Sequence, residues 1–218
     1  MTIPERINKI YRLLYKNYGP QGWWPGDSEL ECVLGAILTQ NTSWTNVEKA
    51  IQNLKSLNLI SIEKLKQITT DELAQLIRPS GYYNQKALKI RNFINFLYEN
   101  YNGELEKMFD QETSILRGKL LEIKGIGPET ADSIILYSAN KAVFVIDAYT
   151  HRIFSRHGLV PEQTNYNEMQ ELFMDSLEND VEIFNEYHAL IVKVAQEHCK
   201  KQKPLCTGCP LEDDPHTV

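Results

Sequence analysis

The chain has 218 residues, of which 42% are hydrophobic and 24% are charged, and its formal net charge is −6. This length allows one large domain or two small ones, and the composition is that of an ordinary soluble globular protein. No apolar run reaches the length of a membrane span and the first ten residues lack a signal-peptide core, so a cytoplasmic location is expected.

Helical periodicity dominates the sequence. The first apolar stripe is formed by Ile7, Ile10, Tyr11, Leu14 and Tyr15. Ser28 followed by Glu31 indicates a capping box that opens a helix through Leu38. Further helices are predicted near residues 42–57, 71–77, 84–100, 113–122, 129–139, 147–157, 166–178 and 181–198. The strand-like run 143–146 is too short and isolated to seed a sheet, so an all-α fold with many short helices is predicted.

The acidic residues are distributed unevenly. Between His157 and Val192 there is no Lys or Arg, whereas eight carboxylates fall in that segment. A solvated acidic helix pair explains the segment best. Because the rest of the chain is close to neutral, the net charge does not exclude a basic, DNA-facing surface elsewhere.

Residues 124–132 read K-G-I-G-P-E-T-A-D and form a glycine-rich turn between two helical patterns. Glycine permits positive φ and lets a phosphate approach the backbone closely. Pro128 suits the first position of a helix, whose start offers amide N–H groups and a positive dipole end to an anion. The turn therefore suits a DNA phosphate held without reading base sequence, although a plain connection between two helices would use the same residues.

Asp147 follows the apolar run V-F-V-I at the start of another predicted helix. Aspartate is a frequent helix N-cap, which is one interpretation of this position. The other is a carboxylate fixed at the mouth of a cleft, where it could stabilise a cationic transition state or orient water.

Together, L-L-E-I-K-G-I-G-P-E-T-A-D-S-I-I-L-Y and V-F-V-I-D-A-Y-T-H-R-I-F resemble the helix-hairpin-helix and Gly/Pro-Asp signature of the endonuclease III superfamily of DNA glycosylases. L-G-A-I-L-T-Q-N-T resembles the family's helix whose final glutamine, here Gln40, wedges into the base stack. R-P-S-G-Y-Y-N-Q-K-A resembles the segment before its next long helix. Cys199-x6-Cys206-x2-Cys209 has the spacing of its iron–sulfur loop. These matches run from about residue 28 to residue 209 in the family's order.

The resemblance implies two all-α lobes with a cleft between them. Residues 22–138 would form a six-helix lobe with the hairpin, and residues 1–21 with 139–218 a terminal lobe with the cysteine loop. The family's DNA contacts correspond to Gln40, Lys124, Gly125, Gly127 and Thr130. Asp147 matches the catalytic aspartate, and the target nucleotide is flipped into the cleft. The implied partner is double-stranded DNA containing a damaged base, bound by a monomer associated with the nucleoid.

Glu129 departs from the bifunctional members, which carry a lysine at this position that forms a Schiff base with the sugar. A carboxylate cannot form an imine, so a monofunctional glycosylase without lyase activity is predicted. Glu129 itself also suits the positive end of the helix. Glutamate here, with W-W-P upstream, is similar to the 3-methyladenine glycosylase branch, whose aromatic base pocket corresponds to Trp24, Pro25 and Trp44. An indole face favours a cationic, alkylated purine, although core packing is the more usual place of tryptophan.

The cysteine loop departs from the family at its fourth cysteine, whose place is taken by Pro215 beside His216. Three alternatives remain: a 4Fe–4S cluster held by Cys199, Cys206, Cys209 and either His216 or an external ligand; a zinc ion held by three Cys and one His; or a lost cluster with remnant thiols. A cluster is favoured. The fourth cysteine of the chain, Cys32, lies in an apolar helix and is predicted to be core.

The leading hypothesis is a base-excision DNA glycosylase that hydrolyses the glycosidic bond of alkylated purines such as 3-methyladenine. A second hypothesis keeps the fold and changes the base to mismatched uracil or thymine, or to oxidised pyrimidines. A third, of another class, is a non-catalytic hairpin module that binds DNA for a partner, which leaves Asp147 and the tryptophans without a role.

Overall fold

A computed structural model of the chain describes residues 1–23 and 26–217. Over those residues the chain forms twelve α-helices and no strand, which confirms the predicted all-α fold. The helices are α1 (Ile3–Tyr18), α2 (Glu29–Leu38), α3 (Trp44–Ser56), α4 (Ile62–Gln67), α5 (Thr70–Leu76), α6 (Tyr83–Tyr101), α7 (Leu105–Phe109), α8 (Thr113–Glu122), α9 (Pro128–Tyr137), α10 (Ala148–Arg156), α11 (Tyr166–Ser176) and α12 (Val181–Glu197). A 3₁₀ turn, Arg78–Ser80, precedes α6.

The sequence pattern did not predict α4 or α7. With six and five residues, these helices are too short to display a helical repeat of apolar positions. Within the described ranges, none of the helices is both long enough and apolar enough to span a bilayer.

Chain contacts divide the protein into two compact units, of which one is Pro25–Lys141. Its central helix is α2, which is buried at every position after Glu29 and packs against α3, α6 and α9. The predicted capping box at its start is half right. Ser28 accepts the Glu31 N–H, but the Glu31 carboxylate instead pairs with Lys55 Nζ at 2.7 Å. Burial of that carboxylate explains the difference. A buried charge is stabilised more by an oppositely charged ammonium than by the backbone N–H of the N-cap residue.

Lys86, in the first turn of α6, is buried and 2% exposed. Its ammonium donates to the carbonyls of Leu38 at 2.8 Å and Ser80 at 2.6 Å. The first carbonyl belongs to the last residue of α2 and the second to the 3₁₀ turn, so one side chain ties three elements together just before Gln40.

The second unit comprises Met1–Trp24 and Ala142–Val218. In it α1 packs against α11 and α12, and α12 also packs against α10. Its core is aromatic: Phe144 stacks on Phe173 with ring centroids 4.2 Å apart, and Phe154 and Tyr187 contact the same ring. Apolar burial of this kind stabilises the unit at about 25 cal/mol per Å².

The buried segment 143–146 forms no strand in the described chain, as its sequence predicts. Side chains of α11 take the place of a neighbouring strand. Gln170 Nε2 donates to Phe144 O at 2.7 Å, and the Phe144 N–H contacts Met174 Sδ at 3.3 Å. These contacts fix the backbone that delivers Asp147 to the start of α10.

Candidate active site

The glycine-rich turn joins α8 to α9 as a helical hairpin. Gly125 has a φ of +99°, and a Cβ there would lie 2.6 Å from Lys89 Cγ, so both conformation and space require glycine. Gly127 is extended, with a φ of −98°, and is the N-cap of α9, where Pro128 takes the first helical position. Lys124, both glycines and Glu129 are exposed, whereas Ile126 between them is buried and anchors the turn.

The base of the hairpin is braced by an ion pair between its two helices. Arg117 Nε lies 2.7 Å from Asp132 Oδ1, and Arg117 Nη2 lies 3.0 Å from Oδ2, which makes the contact bidentate. The Asp132 side chain is 0% exposed. The turn is therefore held on rigid helices and presents backbone amides at the start of α9.

Gln40 lies just beyond α2 and is hydrogen-bonded at both ends of its amide. Its Nε2 donates to Thr130 Oγ1 at 2.8 Å, and its Oε1 accepts from Lys89 Nζ. Thr130 is 5% exposed, so its hydroxyl faces Gln40 and not solvent. Two predicted site residues, Gln40 and Thr130 of α9, are thus in direct contact.

Tyr82 is a candidate that the sequence analysis missed. It is 73% exposed, has a φ of +44°, and lines a surface cavity of about 240 Å³ with Gln40, Lys86 and Lys89. Positive φ is strained for a bulky residue and is retained mostly where function needs it. The sequence signal for Tyr82 was an aromatic residue directly after Gly81, at the start of a helix.

Asp147 is the N-cap of α10, as one interpretation of the sequence predicted, and it uses only one of its two carboxylate oxygens for this role. Oδ1 accepts the Thr150 N–H at 2.7 Å and the Thr150 hydroxyl at 2.8 Å. Oδ2 instead faces His188 Nε2 at 3.6 Å. Burial alone would raise the pKa of Asp147, but His188 and Thr150 outweigh it and hold that pKa below its ordinary value. The carboxylate is therefore ionised at neutral pH.

Two of the predicted base-pocket residues, Trp24 and Pro25, lie outside the described residues. Trp44 is half-buried at the first position of α3. Trp23, adjacent in sequence, packs edge-on against the His188 ring with centroids 6.1 Å apart. An indole therefore lies beside the partner of Asp147, within the same unit.

The three clustered cysteines converge on one cavity of about 20 Å³, which Cys199, Cys206, Cys209 and His216 line together. The loop between the first two is closed by paired bonds between His198 and Leu205, at 2.9 Å between Leu205 N and His198 O. Cys209 N donates to Cys206 O at 3.0 Å, which forms the tight turn of the C-x2-C pair. Burial raises the pKa of the Cys209 thiol, and the proximity of Cys199 and Cys206 adds to that effect.

His216 has one ring nitrogen in contact with a backbone carbonyl. Its Nδ1 lies 2.8 Å from Asp214 O, so a proton on Nδ1 leaves Nε2 as a lone-pair donor. Asp214 is itself buried, with Arg6 Nη2 at 2.6 Å and His157 Nδ1 at 2.9 Å. These contacts fix the tail that carries His216.

Three thiols and an imidazole are a donor set that suits iron–sulfur or zinc chemistry. In the described part of the chain, no three His, Cys, Asp or Glu side chains are close enough to hold one metal ion. In a cluster, by contrast, the thiolates bind different iron atoms and do not share one ion. The donor set therefore fits a cluster in its chemistry.

Two arginines of α10, also missed in the sequence, bind the cysteine loop. Arg156 Nη1 donates to Cys199 Sγ at 3.2 Å and to Lys200 O at 2.8 Å, and Arg152 Nε donates to Cys199 O at 2.8 Å. Arg156 therefore places a positive charge beside the Cys199 sulfur. The spacing of four residues between the two arginines, on one helix face, was the available signal.

Cys32, which lies outside the cysteine loop, is buried at 6% exposure, as predicted.

Related proteins were found by comparison of both sequence and structure. Residues 34–179 match the HhH-GPD family, described as "HhH-GPD superfamily base excision DNA repair protein". A Methanocaldococcus jannaschii protein named "Putative DNA repair glycosylase" is 50% identical over 214 residues, covering 96% of this chain and 95% of its own.

Many solved structures share the fold, among them the two that follow. A 3-methyladenine DNA glycosylase of H. pylori bound to 1,N6-ethenoadenine is 31% identical, with a TM-score of 0.77, covering 90% of this chain and 98% of its own. An endonuclease III–DNA complex has a TM-score of 0.84 over 99% of this chain and 96% of its own, at 21% identity. The chain belongs to the HhH-GPD superfamily of base excision DNA repair proteins and is a DNA glycosylase of that superfamily.

Proposed function

We propose that this protein is a monofunctional glycosylase that removes alkylated purines, such as 3-methyladenine, from double-stranded DNA. The observation that carries the proposal is Glu129, an exposed carboxylate two residues beyond the hairpin's second glycine. A lyase of this family needs an amine at that position to form a Schiff base, and a carboxylate cannot supply one. The substrate class is supported by the 31% identity to a 3-methyladenine glycosylase over 90% of the chain.

Asp147 is the proposed catalytic carboxylate. Because Thr150 occupies Oδ1, Oδ2 is the oxygen that can face the sugar. As the bond between C1′ and the purine nitrogen breaks, its electrons leave with the cationic base, which departs neutral. The negative charge of Oδ2 stabilises the oxocarbenium-like sugar, and a water oxygen then bonds to C1′ and releases its proton. The product is an abasic site with an intact strand.

DNA is proposed to contact the exposed surface of the hairpin unit, which is the compact unit Pro25–Lys141 that contains the α8–α9 hairpin. Lys124 supplies a positive charge at the turn. Gly125 and Gly127 let a phosphate approach the backbone closely, and the backbone N–H of Thr130 lies at the start of α9. Gln40 and Tyr82 lie beside one cavity, where an amide and an exposed ring can contact the bases that flank a flipped nucleotide. Trp24, Pro25 and Trp44 are proposed to line the base pocket, where indole faces favour a cationic purine.

The cysteine cavity is proposed to hold a 4Fe–4S cluster with Cys199, Cys206, Cys209 and His216 as ligands. His216 fits because Nδ1 is directed to a backbone carbonyl, the usual arrangement of a ligating histidine. When bound, the cluster supplies a redox-active group that cross-links the loop. Iron content and visible absorption should fall in Cys206→Ala, and His216→Cys should keep the iron but change the spectrum. A zinc-loaded, colourless wild-type protein would contradict the proposal.

The reaction is tested with duplexes that each carry one lesion: 3-methyladenine, uracil or thymine opposite guanine, or an oxidised pyrimidine. Free methylpurine should appear, and strand breaks should appear only after alkali. Asp147→Asn should abolish release, whereas Asp175→Asn, an exposed carboxylate of the same unit, should leave it unchanged. Faster release from another lesion would contradict the proposed substrate. Binding without release of any base would contradict the proposed reaction.

A further inference from the structure

His188 is a buried histidine of α12 that lies against the proposed catalytic carboxylate. Its Nε2 is 3.6 Å from Asp147 Oδ2, and the two side chains are 7% and 13% exposed. That separation is longer than a hydrogen bond, and the two polar groups still face each other at short range. No sequence motif pointed to His188, because α12 follows Asp147 at a long distance along the chain.

The two oxygens of Asp147 are held differently. Oδ1 is fixed by the N–H and the hydroxyl of Thr150. With one oxygen fixed, the carboxylate plane can still rotate, and that rotation moves Oδ2. His188 Nε2 faces Oδ2 at 3.6 Å, and the ring of His188 packs against Trp23. The direction of Oδ2 is therefore set from α12.

A buried carboxylate also needs a favourable electrostatic environment to remain ionised. Transferring a charge from water to a protein interior is strongly unfavourable unless partners compensate it. Thr150 provides two such partners at Oδ1, and His188 provides the corresponding one at Oδ2.

We infer that His188 is a positioning residue for the glycosylase reaction, which directs Asp147 Oδ2 toward the sugar and stabilises its negative charge. The inference rests on the proposed function, in which Asp147 is the reacting carboxylate. His188 acts through Asp147 and need not touch DNA, so it should affect the rate of base release and not the affinity for DNA.

Two substitutions separate this role from simple packing. His188→Phe keeps an aromatic ring against Trp23 and removes the polar nitrogen, whereas His188→Gln restores an N–H donor of similar reach. Tyr187→Phe is the matched control, because it removes a buried hydrogen bond from the adjacent residue of the same helix, at 2.8 Å to Ile7 O. It should lower the thermal midpoint and leave the rate unchanged.

Single-turnover release of methylpurine and the DNA dissociation constant are measured separately. His188→Phe should lower the release rate by about 10–100-fold with an unchanged dissociation constant, as for other residues that orient a reactive group. His188→Gln should recover part of that loss. A rate within about twofold of wild type in His188→Phe, or equal losses in the Phe and Gln variants, would overturn the inference.

A second measurement is independent of catalysis. The pKa of the Asp147 carboxyl, followed by carbon-13 NMR, should be higher in His188→Phe than in the wild type, because a group that lowers it has been removed. An unchanged pKa would overturn the inference. If the wild type releases no base from any lesion, the proposed function fails, while the NMR result still decides whether His188 controls Asp147.

Discussion

Replacing Lys86 by methionine should abolish a gain in stability that the wild-type protein shows as the pH is raised above about 8. Burial, and to a smaller extent the charge of Lys89, lower the pKa of Lys86 from 10.5 to about 8. Lys86 is only 2% exposed, so solvent screens this effect little. In the unfolded chain the same group returns to its ordinary pKa.

The sign follows from proton binding. Below about pH 8, Lys86 is charged in both states and the folded state carries the cost of a buried ammonium. Between about pH 8 and about pH 10.5 the folded state loses the proton first, so the unfolded state binds more protons and stability rises with pH. The folded pKa of about 8 and the unfolded value of 10.5 give a gain of about 2.5 kcal/mol between about pH 7 and about pH 10.

Urea unfolding of wild type and Lys86→Met across this pH range measures the effect. The difference between the two proteins is the informative quantity, because it cancels other groups that titrate in both. The buried tyrosine Tyr187 has a raised pKa, so it opposes the gain only above about pH 10. Parallel curves for the two proteins would show that the ammonium of Lys86 is not energetically coupled to folding, and would refute the reasoning.

Three further predictions follow from contacts of the hairpin unit. Arg117→Met should lower the free energy of unfolding by about 3 kcal/mol, because it leaves the buried Asp132 carboxylate without its guanidinium. Adding Asp132→Asn should recover part of this loss in chemical denaturation, and no recovery would argue against a charge effect. Tyr82→Ala should weaken DNA binding by about 1–3 kcal/mol if its exposed ring stacks on a base, with Tyr15→Ala of the other unit as the control. Glu129→Lys should yield a borohydride-trapped protein–DNA adduct, which wild type should not form, since only the variant places an amine there. An adduct in neither protein would place position 129 outside reach of the sugar.

The elements that the sequence predicted are those with local signals. The long helices have a clear apolar repeat, and the α8–α9 hairpin combines Gly125, Gly127 and Pro128, which mark a turn followed by a helix start. Asp147 shows how two interpretations of one residue can coexist. Its N-cap role uses Oδ1, and this leaves Oδ2 for the proposed chemistry.

The features that the sequence did not predict depend on contacts between distant segments. His188 becomes significant only because α12 brings it to Asp147. Lys86 would be assigned to the surface by composition, since lysine is almost never fully buried, yet two carbonyls from other elements satisfy it. Arg156 reaches the cysteine loop through a fold that joins residues 43 positions apart.

The helix α10 has Asp147 at its N-cap and ends at Arg156, which binds the Cys199 thiol. Its nine residues span about 13 Å, since each residue of an α-helix adds about 1.5 Å. One inserted residue would turn everything beyond it by about 100° and would carry Arg156 away from the thiol. The length of this helix is therefore under a tighter constraint than that of the surrounding loops. In related chains we expect insertions and deletions to accumulate before Asp147 and after Arg156, and to be absent between them.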